Sequence, residues 1–240
     1  MLALPGSTRK VHCLKQPAVT KRITNSADRD VVIVGGGFAG SIAASALAQR
    51  GYRVSILEAS TRPSSTFRGE LLHPRGVWGL QGLGAESLLA AAGAASVSGF
   101  AAFTGSAEEP VLLPYAGKMT AGAGFDHARL VSVLRSSLAQ LPGVRVEAPA
   151  RVTELLRAGD RVVGVIRADG RVHRAALVIG ADGRFSRVRK LLRIPARSVL
   201  LSQTLALEIP AAALPFPGYG HVFTGAPGPV FAYPTGEERA

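Results

Sequence analysis

Val31, Val32, Ile33 and Val34 form an apolar run with no polar alternation, the pattern of a strand buried on both faces. Small and apolar residues continue at helix length from Phe38 to Arg50, and Gly51 closes the run. Arg53–Leu57 predicts a second strand ending on Glu58. Residues 59–73 are polar and read as a loop, followed by short helices at Pro74–Leu83 and 85–95, with Pro74 suited to a first helical turn. Strands are predicted at Val97–Phe103 and Val111–Tyr115, with a glycine-rich loop over 116–124. Asp126 caps a helix to Gln140 whose Leu130, Val133, Leu134 and Leu138 share one face. Val144–Glu147 is a strand. Val152–Leu156, Val162–Arg167 and Val172–Arg174, separated by Gly-Asp and Asp-Gly turns, predict a three-stranded meander. Ala176–Gly180 is a further buried strand. Val199–Ile209, His221–Thr224 and Val230–Tyr233 begin an antiparallel, apolar-faced sheet.

Composition narrows this picture. The chain has 240 residues, 47% hydrophobic and 18% charged, enough for a sizeable core. Its formal net charge is +12, but the arginines are scattered singly with no aromatic interleaving, which argues against nucleic-acid binding. Residues 1–29 are basic and lack periodicity or an apolar signal core, so they read as a disordered leader. The uncharged window 87–107 is built of Ala, Gly and Ser and is interrupted by Gly93 and Gly99, which favours a buried helix and strand over a membrane span. A single cysteine, Cys13, fits a reducing, cytoplasmic compartment. No metal-ligand spacing appears among the dispersed histidines.

Two motifs carry chemistry. Gly35, Gly37 and Gly40 make a G-x-G-x-x-G between the first strand and the first helix, and Glu58 closes the second strand about twenty residues on. Gly37 leaves room for a pyrophosphate, Gly40 lets helix and strand approach, and the helix N-terminus favours the phosphates. Glu58 can accept from an adenosine ribose and would repel a 2′-phosphate. The second motif, GADGRFSRVR (180–189), places Asp182 and Gly183 at the carboxyl end of a strand, where open α/β sheets bind ligands, with Ser186 able to cap the helix that follows. Taken alone, it is also the sequence of an ordinary strand-to-helix turn.

With both motifs, GGGFAG (35–40) with Glu58 and GADGRFSRVR (180–189), the chain resembles the flavoprotein monooxygenases of the para-hydroxybenzoate hydroxylase fold. Within them RGELLHPRGVWGLQGLG (68–84), GFDHARLVSVLR (124–135) and PGPVFAYPTGEER (227–239) look most like the squalene monooxygenase branch. The resemblance implies a Rossmann-like α/β FAD-binding domain with a β-meander, over 30–97 and 117–197, and part of an antiparallel substrate domain over 98–116 and 198–240. It implies one non-covalent FAD, held by Gly35, Gly37, Phe38, Ala39, Gly40, Glu58, Ala59, Arg68, Arg129, Val152, Asp182 and Gly183, with Asp182 also serving the path of the reductant. The implied reaction is epoxidation or hydroxylation of a lipophilic, terpenoid-type substrate through a flavin C4a-hydroperoxide, with NAD(P)H or a reductase as electron donor. No protein nucleophile is required.

Three departures from the branch pattern stand out. His73 stands where the branch typically has Gln, Phe100 stands near the position where the branch has a substrate-pocket Tyr, so that this hydroxyl is lost, and no later Gly-Asp follows the apolar sheet. The last departure leads to the expectation of an N-terminal portion with weak FAD binding and little activity alone. Two other readings are a flavin reductase resembling geranylgeranyl reductases and a non-catalytic dinucleotide-binding remnant. A peripheral position on a membrane is compatible with all three.

Overall fold

The structure is a computed structural model that describes residues 28–62, 69–85, 87–105, 109–117, 120–225, 228–236 and 238–240. The basic leader up to residue 27, with Cys13, lies outside the described residues, as does Arg68.

Along the chain the elements are β1 (Arg29–Val34), α1 (Phe38–Ala48), β2 (Val54–Leu57), β3 (Gly69–Leu72), α2 (Pro74–Gly82), α3 (Ser87–Ala91), β4 (Ala95–Val97), β5 (Gly99–Thr104), β6 (Val111–Pro114) and β7 (Gly122–Asp126). There follow α4 (His127–Ala139), β8 (Val144–Glu147), β9 (Val152–Ala158), β10 (Arg161–Arg167), β11 (Val172–Gly180), α5 (Arg187–Leu191), β12 (Gly220–Thr224) and β13 (Val230–Ala232). The principal sheet has the order β8-β2-β1-β11-β10-β9. Its β8, β2, β1 and β11 run parallel, while β11, β10 and β9 form the antiparallel meander. This is an α/β architecture with a Rossmann-like parallel core.

The unbroken apolar run of β1 is explained by its two covered faces. Val31 and Ile33, with Val54 and Ile56 of β2, pack on Ala44 of α1 and Leu138 of α4. Val32 and Val34 face the other way and pack with Leu57, Val152, Val165 and Val188. Each such side chain taken fully out of water contributes about 1.5–3 kcal/mol, so this strand anchors both layers. On α4, Asp126 accepts a hydrogen bond from the Arg129 N–H at 2.6 Å, and Leu130, Leu134 and Leu138 are buried. That capped, amphipathic helix is the one expected from the sequence.

Several expectations change. The segments Val172–Arg174 and Ala176–Gly180 are one strand, β11. Its first half pairs antiparallel with β10 and its second half parallel with β1. One strand can pair with both neighbours because its backbone donors and acceptors point alternately to its two edges. The segment Val97–Phe103 is two strands, broken at Ser98, because β4 pairs with β7 and β5 with β6 and β12. The loops expected at 59–73 and 116–124 contain β3 and β7, which with β4 form a three-stranded sheet. A Cβ on Gly122 or Gly124 would collide with the carbonyl oxygens of Leu72 and Pro234. Close approach of backbones therefore explains the lack of β-branched residues there.

The second sheet has the order β13-β12-β5-β6. Its central pair, β5 and β12, is parallel, so the sheet is mixed rather than antiparallel throughout. Residues 199–209 are no strand. Ile209 exchanges two backbone hydrogen bonds with Ala240, but the stretch before it has no regular structure. Leu201 is 91% exposed and Leu205 86% exposed. The apolar run had suggested burial, and no described neighbour supplies it. Among the described residues no helix is long and apolar enough to cross a membrane.

Candidate functional site

The carboxyl ends of β1, β2 and β11 meet at one place. After Val34 the chain turns at Gly35 (φ +103°), where a Cβ would strike the Ala181 carbonyl. Gly40 lies on the first turn of α1, and a Cβ there would strike the carbonyl oxygen of Gly35. These two glycines therefore close the turn against β11 and α1 against the turn. Gly37 differs: no atom lies within 4 Å of where its Cβ would be. Gly37 is the N-cap of α1 and offers no side-chain cap, so the first-turn N–H groups of an 11-residue helix stay available to an anion.

Glu58 is held rather than free. Its Oε2 accepts from the Gly36 N–H (2.8 Å) and from Arg135 Nη2 (3.0 Å), and its Oε1 accepts from the Ser60 N–H (2.9 Å). Two acceptors' worth of Oε2 are filled, whereas Oε1 keeps a lone pair. Arg135 also donates from Nε to the Gly36 carbonyl at 2.7 Å. One guanidinium fork thus spans the glycine turn and the acid, and fixes their separation. Arg135 was not singled out from sequence; the only signal was its place at the end of the GFDHARLVSVLR stretch.

Asp182 is similarly committed. Its Oδ2 accepts from the N–H groups of Arg187 (2.6 Å) and Val188 (3.0 Å), and the Ser186 hydroxyl donates to Oδ1 at 2.5 Å. Ser186 Oγ in turn accepts from the Arg189 N–H at 3.0 Å, the cap expected of it. The carboxylate thus ties the 180–189 turn together and retains one acceptor position on Oδ1. Gly183 has φ +76°, a conformation that favours glycine.

Glycine turn, acid and second motif line one cavity of about 550 Å³. Gly35, Gly37, Glu58, Ala59, Val152, Asp182 and Gly183 all contribute to its wall. Gly40 supports it from behind. Phe38 and Ala39 open α1 but do not line the cavity, and Phe38 instead stacks on Phe125 at 6.4 Å between ring centroids. Arg129 lies apart, with its guanidinium next to Gly93. Arg151, Thr153, Phe185 and Arg187 line the wall without having been expected there. Phe185 is 76% exposed, with the Arg184 guanidinium 5.3 Å from its ring centroid. The donor set suits a dinucleotide: uncapped helix N–H groups and arginines for a pyrophosphate, a carboxylate with a spare lone pair for ribose hydroxyls, and open space at Gly37.

A second, open groove of about 460 Å³ lies between β3 and the mixed sheet, lined by Leu71, His73, Phe100, Leu113, Phe231 and Tyr233 among others. It shares no lining residue with the first. The two departures noted in the sequence, His73 and Phe100, both face it.

Comparison with known proteins agrees with this geometry. The chain is similar to Squalene epoxidase 3 of Arabidopsis thaliana, 34% identical over 221 residues, covering 90% of this chain and 42% of that protein. It is similar to Squalene epoxidase erg1 of Schizosaccharomyces pombe, 31% identical over 224 residues, covering 89% of this chain and 48% of that protein. The chain therefore spans less than half the length of these relatives. Among solved structures it superposes on P. aeruginosa PqsL in complex with 2-aminobenzoylacetate with a TM-score of 0.70 at 22% identity, covering 88% of this chain and 59% of that one. It also superposes on p-nitrophenol 4-monooxygenase PnpA from Pseudomonas putida DLL-E4 with a TM-score of 0.60 at 25% identity, covering 68% and 43%. The profile of the FAD binding domain family matches residues 28–232. With that match over nearly the whole chain, and a dinucleotide cavity built from both of its motifs, the chain belongs to the FAD binding domain family, and FAD is its cofactor.

Proposed function

We propose that the chain serves a flavin-dependent monooxygenase that epoxidises or hydroxylates a lipophilic substrate. The observation that supports this most is the convergence of the 35–40 turn, Glu58 and the 180–189 motif on one cavity, together with the similarity to squalene epoxidases. Bound FAD supplies the redox chemistry that activates dioxygen, after reduction by NAD(P)H or a reductase. The chain's own residues bind, orient and exclude water. In this reading α1 and Gly37 hold the pyrophosphate, the spare Oε1 lone pair of Glu58 takes the ribose, and Ala59 and Val152 border the adenosine. Gly183 and the remaining acceptor position of Asp182 face the flavin side. Phe38 and Ala39 contribute backbone N–H groups, Arg129 reaches the cofactor from outside the cavity wall, and Arg68, which lies outside the described residues, is a further cofactor contact in this reading. We read 30–97 with 117–197 as the cofactor domain and 98–116 with 198–240 as substrate-facing. The single cysteine supports a cytoplasmic setting, with a peripheral membrane position for access to a lipophile.

The test is an absorption spectrum of the full chain after FAD incubation and desalting, followed by turnover with NAD(P)H and O₂ on terpenoid alkenes. Retained flavin and O₂-dependent oxygenation support the proposal. NAD(P)H consumption that persists without O₂ points to a reductase instead, and an inability to take up FAD under titration overturns the proposal.

A further inference from the structure

The open groove between β3 and the mixed sheet carries a polar feature that a hydrocarbon would not use. Its wall is made of Leu71, Phe100, Leu113 and Phe231 with two polar side chains, His73 and Tyr233. Directly behind His73 stands Tyr115, whose hydroxyl lies 2.8 Å from His73 Nδ1. The two rings meet edge to face at 5.9 Å, and Phe100 packs on both, at 5.9 Å from His73 and 6.1 Å from Tyr115. The pair is therefore clamped in an aromatic cluster, and the imidazole is oriented rather than free to spin.

A phenol that donates to an imidazole nitrogen sets the tautomer of that imidazole. A phenol has one proton, and among the described residues Nδ1 is the only partner recorded for the Tyr115 hydroxyl. Burial pushes the Tyr115 phenol above its usual pKa, so that proton stays in place. With the phenol donating, Nδ1 accepts, and a neutral imidazole then carries its own proton on Nε2.

We propose that this open groove binds the apolar body of a substrate that also carries one oxygen acceptor, an alcohol, phenol or ketone, that the Tyr115 phenol donates to His73 Nδ1 as a positioning residue, and that the His73 Nε2–H so fixed donates to that oxygen. The inference rests on the monooxygenase reading only in calling the ligand a substrate. A pure hydrocarbon gains nothing from His73 and displaces its water without replacing the hydrogen bond. An oxygen-bearing ring of similar size recovers it, a difference of about fivefold in affinity for one net hydrogen bond.

The experiment is equilibrium dialysis of the full chain at pH 8 with 2-naphthol and with naphthalene, which share a ring system and differ by one hydroxyl. The expected result is 2-naphthol binding at least about fivefold more tightly. His73→Leu removes that preference while naphthalene binding stays within about twofold. Tyr115→Phe, which keeps the ring contacts, reduces the preference, and ¹⁵N NMR of the His73 imidazole shows the Nε2–H tautomer in the parent and a tautomer mixture in that variant. Equal affinity for both probes, no binding of either, or a preference that survives His73→Leu overturns the proposal. A preference lost only in Tyr233→Phe overturns it as well, since the donor would then be that phenol. FAD uptake, followed by flavin absorbance in the same preparations, reports on the monooxygenase reading separately, because the two cavities share no residue.

Discussion

Gly37, on the glycine turn, and Arg135, which reaches that turn from α4, show how two residues divide the work of holding a cofactor and holding the fold. The space beside Gly37 is open, so Gly37→Val should fold normally, with stability changed by less than about 1 kcal/mol in urea unfolding. The valine occupies the wall of the dinucleotide cavity, however, and FAD affinity by fluorescence titration should fall at least about tenfold, roughly the loss of one or two charge-assisted hydrogen bonds. Arg135 is the converse. Its side chain is only 15% exposed and joins Glu58 to the Gly36 carbonyl. Arg135→Met should destabilise the protein by about 2 kcal/mol in urea unfolding even without FAD, since it strips partners from a half-buried carboxylate. Arg135→Lys should recover little of this, because a single ammonium cannot span both acceptors as the fork does.

Among the elements, β12 places a titratable group in an aromatic stack. His221 is fully buried, with rings of Phe103 and Phe223 each stacked nearly parallel to it at 6.1 Å. Its Nε2 accepts from the Phe216 N–H at 3.1 Å, a bond that protonation destroys. Burial lowers its pKa below the usual 6.5, only partly opposed by the carbonyls of Ala232 and Tyr219. The unfolded chain therefore binds a proton more readily than the native one, and linkage gives the sign. Stability is fully present above the ordinary histidine range and is lost as pH falls from 6.5 toward the lower folded value. Urea unfolding at pH 7.5 and 5.5 should show this loss, and His221→Phe should make it smaller. It should not vanish, because burial lowers His173 in the same direction.

For the molecule as a whole, the exposed apolar stretch of 199–207 and the outer strands β6 and β13 set the solution behaviour. Val111, Leu113, Val230 and Phe231 are all more than half exposed, on strands with one edge unpaired among the described residues. Such edges and patches favour association despite a net charge of +12. Sedimentation velocity should show concentration-dependent association of the full chain. Leu201→Ser with Leu205→Ser should shift it toward monomer without lowering stability, since neither leucine is packed. Unchanged association would locate the contact on the strand edges instead.

Legibility in the sequence followed the range of the interactions. The β1–turn–α1–β2–Glu58 unit, the capped helix α4, the meander and the 180–189 turn are local, and each leaves a periodic or punctuated signal in adjacent residues. The glycine spacing and the terminal acid therefore identified a dinucleotide site without any structure, and the second motif narrowed the expectation to a flavoprotein. What the tertiary structure decided depends on partners far away in sequence. Gly122–Asp126 forms a strand because it pairs with both β3 and β4, and its glycines leave room for the close backbones of Leu72 and Pro234. Val199–Ile209 forms none, although its composition suits one, because no described strand pairs with it. Arg135 reaches Gly36 from the far end of another helix, and Tyr115 meets His73 across two sheets. By itself the sequence determined which local elements form and what cofactor chemistry they suit. Only the packing decided which groups hold Glu58 in place and what polar contact faces the second cavity, because those contacts join segments whose relative position no local pattern encodes.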